Sequence, residues 1–181
     1  MLVNVSGCSL QLLIGDITEQ QVDAIVNAAN SSLAGGSGVD GAIHQAGGPA
    51  ILKDTNARYP DGCPTGSAVE SVAGNLSARY VFHAVGPVWK GGRHNEPADL
   101  VSAYRSCLKL AVDLGCDSIA FPAISAGAYG YPLDLAANVA IKATTDFQKW
   151  HKQPPEIRFV LSSEGVYGAF ARALEEQLEL Q

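Results

Sequence analysis

Ala24-Ile25-Val26-Asn27-Ala28-Ala29-Asn30-Ser31-Ser32-Leu33-Ala34-Gly35-Gly36-Ser37-Gly38-Val39-Asp40-Gly41-Ala42-Ile43-His44 is the stretch on which the reading of this chain turns. The apolar run Ala24–Val26 has the form of a short strand buried on both faces. A glycine-rich turn follows, and then Val39, Ile43 and Ala46 fall at helical spacing. Strand, glycine loop and helix N-terminus together make an anion site. The loop lets backbone N–H groups approach a phosphate, and the helix end favours negative charge. The side chains are what a plain phosphate cradle does not need. Asn27 and Asn30 precede the loop, and Asp40 stands just inside the helix, four residues before His44 and so on the same face. They suit a site that binds a diphosphate and also handles a sugar or a water molecule.

Gly36-Ser37-Gly38-Val39-Asp40-Gly41 also matches the dinucleotide fingerprint G-x-G-x-x-G. That fingerprint needs its first glycine directly after the strand and an acidic residue closing the next strand about 20 residues on. Here several residues separate Val26 from Gly36, and Asp61 lies in the turn Pro60-Asp61-Gly62-Cys63-Pro64. A nicotinamide-dependent dehydrogenase is disfavoured on both counts.

Composition narrows the classes further. A chain of 181 residues with 47% hydrophobic residues is large enough to bury a substantial core, and it suits one domain over 1–181. No apolar run approaches the ~20 residues of a membrane helix. The start, Met1-Leu2-Val3-Asn4-Val5-Ser6, lacks the basic and apolar regions of a signal peptide, so the cytoplasm is the expected location. A net charge of −6 argues against general nucleic-acid binding. Lys90, Arg93 and His94 read as a solvated loop. An anionic ligand must then be held by backbone amides and helix ends. Cys8, Cys63, Cys107 and Cys116 show no metal-ligand spacing and read as free thiols. Cys107 is expected in the core and Cys63, in a loop, as the accessible thiol. His83, on an apolar strand, reads as a core histidine.

Further strands are expected at Leu10–Ile14, Ala68–Val72, Tyr80–Val85, Ser118–Phe121 and Ile157–Leu161. Helices are expected at Ala50–Tyr59, Pro97–Leu114, Leu133–Trp150 and Tyr167–Leu180. The second half alternates strand and helix, which argues for an α/β domain with helices on both sheet faces; the first half adds strands that make the sheet mixed. Phe121-Pro122-Ala123-Ile124-Ser125-Ala126-Gly127-Ala128-Tyr129-Gly130-Tyr131-Pro132 repeats the logic of the first loop: a strand feeds a small-residue loop that ends at a helix start. Two such loops at one crevice would clasp a diphosphate. Tyr129 is placed either to cover a sugar or to anchor the loop.

These residues resemble the macrodomains, in their MacroD-type branch, and most closely the bacterial O-acetyl-ADP-ribose deacetylases. The matching pieces are Gly15–Thr18, Asp23–Asn30, Gly35–His44, Cys63–Gly66, His83–Trp89 and Phe121–Pro132, in the family's order over nearly the whole chain. The resemblance implies a three-layer α/β/α sandwich with a mixed central sheet and an ADP-ribose cleft at the strand ends. It implies that Asp16 accepts a hydrogen bond from the adenine amine with Ile17 beside it. Gly38 and Val39 offer amides to the diphosphate, and Ser125, Ala126, Gly127, Ala128 and Tyr129 form the second phosphate loop. Asn30 and Asp40 position the distal ribose and the attacking water, with Asn27 counted among the ligand contacts and His44 given a structural role. The implied activity is metal- and cofactor-independent hydrolysis of an ester on the distal ribose, either acetyl or a protein Asp or Glu side chain. The implied partners are ADP-ribose, its esters and mono-ADP-ribosylated proteins. Asp40 or a substrate phosphate serves as base. A non-catalytic ADP-ribose-binding module is the alternative. The chain departs from the family at Ser37 and Ala126, where glycine and threonine are usual, and at Leu161–Glu164, which lacks an adenine-stacking aromatic. Ser37 should stiffen the first loop, and Ser162 should leave adenine less firmly held.

Overall fold

The structure, a computed structural model, describes residues 1–180. Seven strands, β1 (Leu2–Val5), β2 (Cys8–Ile14), β3 (Ala24–Ala28), β4 (Ala68–Val72), β5 (Tyr80–Ala84), β6 (Ser118–Phe121) and β7 (Glu156–Leu161), form one sheet in the order β1-β2-β7-β6-β3-β5-β4. The interior pairs are parallel; β1 and β4 close the two edges in antiparallel register. The mixed sheet expected from sequence is therefore present, with one strand more. Leu2–Val5 becomes a strand because Ser6-Gly7 turns it back in two residues onto Cys8–Gln11.

Helices α1 (Gly38–Gly47) and α2 (Ala50–Arg58) cover one face, and α3 (Glu96–Asp113), α4 (Leu133–His151) and α5 (Glu164–Glu179) pack side by side on the other. α5 starts three residues before the expected Tyr167. Ser163 caps it there, its Oγ accepting from Val166 N, and the Tyr167 N–H already bonds to Ser163 O. No helix among the described residues is long and apolar enough to cross a membrane.

Alternation along the central strands divides the core in two. Ala24, Val26, Phe82, Ala84, Ile119, Phe121, Ile157, Phe159 and Leu161 face α3, α4 and α5, where Tyr104, Phe121, Phe159 and Phe170 pack ring against ring. Ile25, Val81, Ala120 and Val160 face the other way, onto Ile43 of α1 and Ile51 of α2. Asn27 and His83 continue the second set. They are register partners on β3 and β5, so both point beneath α1.

Candidate functional site

β5, β3 and β6 are adjacent and parallel, so their C-terminal ends open onto the same rim. The loops that leave them enclose a cavity of about 310 Å³. Ala28, Ala29, Asn30 and the Gly36–Asp40 segment form one wall, Gly86 the back, and Ala123–Ser125 with Gly127–Tyr129 the other wall. This is where an open α/β sheet places its ligand.

The first wall is built by Asn30. Its Nδ2 donates to Gly35 O at 2.9 Å, and its Oδ1 accepts from Ser32 Oγ at 2.9 Å and Ala34 N at 3.2 Å. The amide therefore staples the glycine turn while lining the cavity. Ser37 sits at φ −105°, an extended conformation open to any residue, so serine there adds no backbone strain. The helix beyond it begins with unpaired N–H groups at Gly38 and Val39, and Ser37 supplies no side-chain cap.

The second wall leaves more donors free. Among the described residues the N–H groups of Gly127, Ala128 and Tyr129 have no acceptor, while Gly130 N and Tyr131 N close the loop onto Gly127 O and Ser125 O. A Cβ at Gly127 would meet nothing within 4 Å, so its open side is the cavity. Ser125 adopts φ +64°, and its buried Oγ has no partner. Two walls of unpaired N–H groups around one cavity are an arrangement suited to an anion, without a cationic side chain in the lining.

Asp40 stands between the walls, mostly buried. Its Oδ1 accepts from Asn27 Nδ2 at 2.8 Å and lies 3.3 Å from His44 Nε2. Its Oδ2 has no hydrogen-bond partner among the described residues and faces Gly36 in the cavity wall. One oxygen is tied down and the other is available.

Asn30, Gly38, Val39, Asp40, Ser125, Gly127, Ala128 and Tyr129 are thus brought together in the lining, and Asn27, Asp16, Ile17 and Ala126 are not. Asn27 is fully buried behind Asp40, because strand alternation turns it beneath α1. Asp16 is exposed and begins the short 3-10 turn Ile17–Glu19, its Oδ1 accepting from Thr18 N and Oγ1. Ile17 is buried in the smaller core, and Ala126 packs on the larger one. Cys63 corrects its expectation as the accessible thiol: it is buried with Ala29, Leu33 and Val85, and burial pushes its thiol pKa up. Cys107 is in the core as expected.

Three supporting residues escaped the sequence reading. A Cβ on Gly86 would overlap Ser125 Oγ and Ile124 Cγ2, so glycine lets the segment after β5 lie against the second loop. The Tyr104 hydroxyl accepts from Ile124 N and holds the root of the second loop. Buried Glu96 accepts from Lys90 N, Gly92 N and His94 N. Burial raises its pKa, but its own N–H and these backbone donors outweigh it and bring the carboxyl down to about 2. The solvated loop of Lys90, Arg93 and His94 is therefore pinned from within, and through Trp89 N→Tyr129 O at 2.9 Å it braces the second wall. The only sequence signals were a tyrosine hydroxyl on an apolar stripe and an acid at a helix start.

His83 is the satisfied core histidine expected, bonded through both ring nitrogens to Asn27 and Ser71. Burial pushes its pKa from 6.5 down to about 4, His44 adds to the lowering, and Asp54 opposes it. The unfolded chain therefore takes up this proton first. The stability tied to neutral His83 is complete above pH 6.5 and is lost as the pH falls to about 4, a change of about 3 kcal/mol. Between pH 7 and pH 4 the unfolding free energy of the parent, measured in urea, should fall by about 3 kcal/mol more than that of His83→Gln. Equal pH dependence would contradict it.

The sequence profile described as Macro domain matches residues 26–140. A protein of Salmonella gallinarum named O-acetyl-ADP-ribose deacetylase is 53% identical over 170 residues, covering 93% of this chain and 95% of that one. The Oceanobacillus iheyensis macrodomain solved with ADP superimposes with a TM-score of 0.95 at 36% identity, over 100% of this chain and 97% of that one. The Trypanosoma brucei macrodomain in complex with ADP-ribose gives 0.84 at 40% identity, over 91% of this chain and 68% of that one.

Proposed function

We infer the activity from one premise, that the chain belongs to the macro domain family: it binds ADP-ribose and hydrolyses esters on the distal ribose. The observation that carries this reading is Asp40, with Oδ1 held by Asn27 and Oδ2 unpaired, between two walls of free backbone N–H groups. The N–H groups of Gly38, Val39, Gly127, Ala128 and Tyr129 receive the diphosphate. Tyr129 flanks the distal ribose, and Asn30 keeps the first loop in shape around it.

Hydrolysis needs a water oriented on the acyl carbon and relieved of a proton as it attacks. Asp40 Oδ2 takes that proton while the water oxygen bonds to the carbonyl carbon. The tetrahedral species then expels the ribose oxygen, which takes back the proton held on Asp40 and leaves as the free hydroxyl. The acyl group departs as acetate, or as the Asp or Glu side chain of a protein. In the binding-module alternative the unpaired carboxylate oxygen serves only as a ribose contact. Residues 1–181 act as one domain of this kind, and four buried free thiols support a reducing compartment such as the cytoplasm.

The test is incubation with O-acetyl-ADP-ribose and with a Glu-ADP-ribosylated protein, followed by mass spectrometry. Release of acetate, or of ADP-ribose from the protein, is expected. Unchanged substrates beside intact ADP-ribose binding would leave only the binding module.

Asp16 is assigned to the adenine amine, since a carboxylate accepts only and its Oδ2 has no partner among the described residues. Asp16→Ala should weaken ADP-ribose binding by ~1.5–3 kcal/mol, the range for a bond to a charged group. Calorimetry on parent and variant measures it. Equal affinities would remove Asp16 from the site.

A further inference from the structure

The carboxylate of Asp40 is the near end of a buried polar chain that crosses three strands. Asn27 Nδ2 donates one proton to Asp40 Oδ1 at 2.8 Å and the other to His83 Nδ1 at 3.2 Å. His83 Nε2 lies 2.7 Å from Ser71 Oγ, and Ser71 Oγ donates to Val72 O at 3.0 Å. Each link is set by sheet register: Asn27 on β3 is the partner of His83 on β5, and His83 is the partner of Val69, two residues before Ser71 on β4.

The direction of the chain follows from its ends. Ser71 spends its one proton on Val72 O, so it accepts from His83, which fixes the proton on Nε2. Nδ1 is then an acceptor and requires an N–H from Asn27. The amide cannot be turned over, because Oδ1 would then face both the Asp40 carboxylate and the His83 lone pair. Asn27 Oδ1 is left buried with no partner. An asparagine that leaves its own carbonyl unsatisfied in the core is held there for its two donors.

We propose that His83 is a positioning residue for the hydrolysis: anchored by Ser71, it aims the Asn27 amide at Asp40 Oδ1 and so turns Asp40 Oδ2 toward the attacking water. The proposal rests on the hydrolase reading given above. The chain touches no part of the cavity beyond Asp40, since Asn27, His83 and Ser71 are all fully buried outside its lining. Its loss therefore acts on turnover and not on ground-state binding.

The decisive variants are His83→Leu, which has neither donor nor acceptor, and His83→Gln, whose Oε1 and Nε2 reproduce both. His83→Leu should lower kcat for O-acetyl-ADP-ribose roughly 10–100-fold, the cost of a misplaced reacting group, with KM and the ADP-ribose Kd changed by less than about 3-fold. His83→Gln should recover most of that loss. Ser71→Ala, a milder change should His83→Leu not fold, should lower kcat alone and by less. Nitrogen-15 NMR of the parent should show His83 as the Nε2–H tautomer. An Nδ1–H tautomer, an undiminished kcat in both His83→Leu and Ser71→Ala, or equal losses in kcat and affinity would overturn the proposal. If the parent itself shows the Nε2–H tautomer and binds ADP-ribose but turns over neither ester, the hydrolase reading fails, and the positioning role fails with it.

Discussion

Asp40→Ala should lower ester hydrolysis by ~10²–10⁴-fold, the usual contribution of a general base, while ADP-ribose affinity should fall only a few-fold. The separation follows from the division of labour in the cavity. In the proposed complex the ground-state ligand is held by the N–H groups of Gly38, Val39, Gly127, Ala128 and Tyr129, none of which the substitution touches. In the proposed mechanism Asp40 Oδ2 takes the proton of the water only as the new bond forms, so the loss falls on the transition state. Single-turnover acetate release beside a binding isotherm measures both. Asn27 Nδ2 and His44 lose the acceptor they face in the variant, while the Asn30 bonds that shape the first loop remain. Near-normal turnover would move the base to a substrate phosphate and leave Asp40 as a ribose contact.

Gly127→Glu should abolish ADP-ribose binding at concentrations where the parent is saturated, without loss of fold. The Cβ of residue 127 meets no protein atom within 4 Å and the backbone there is not in the left-handed region, so a side chain is accepted sterically by the protein. It is not accepted by the ligand. A carboxylate projected into the diphosphate space places like charges together in a site with no lining cation, at a cost of several kcal/mol. Thermal unfolding should be close to that of the parent while calorimetry shows no saturation. Normal binding by the folded variant would remove the second loop from the phosphate site.

The sequence was most legible where the chemistry is local. The strand Ala24–Val26, the glycine turn, the helix start and Asp40 lie within one short stretch, and the structure assembles them as that stretch implies. The second loop was legible for the same reason: strand, small residues and a proline before a helix are all neighbours in sequence. What sequence did not disclose depends on partners far along the chain. Asn27 reads as a ligand contact until the register of β3 against β5 turns it toward His83. Glu96 and Tyr104 act on loops whose approach no local pattern encodes. Cys63 looks exposed because its neighbours are turn residues, but Cys63 N donates to Ser31 O, which draws the turn onto Ala29 and Leu33.

The cavity is walled largely by alanine, glycine and peptide units. For inhibitor design this cuts two ways. A compound that mimics the diphosphate binds main-chain groups, and point substitution does not remove a main-chain donor, so escape by mutation is restricted to bulky replacements such as that at Gly127. The same feature makes such a compound indiscriminate among proteins that share the two loops. Selectivity has to be sought where the lining carries side chains, at Asn30, Asp40 and Tyr129.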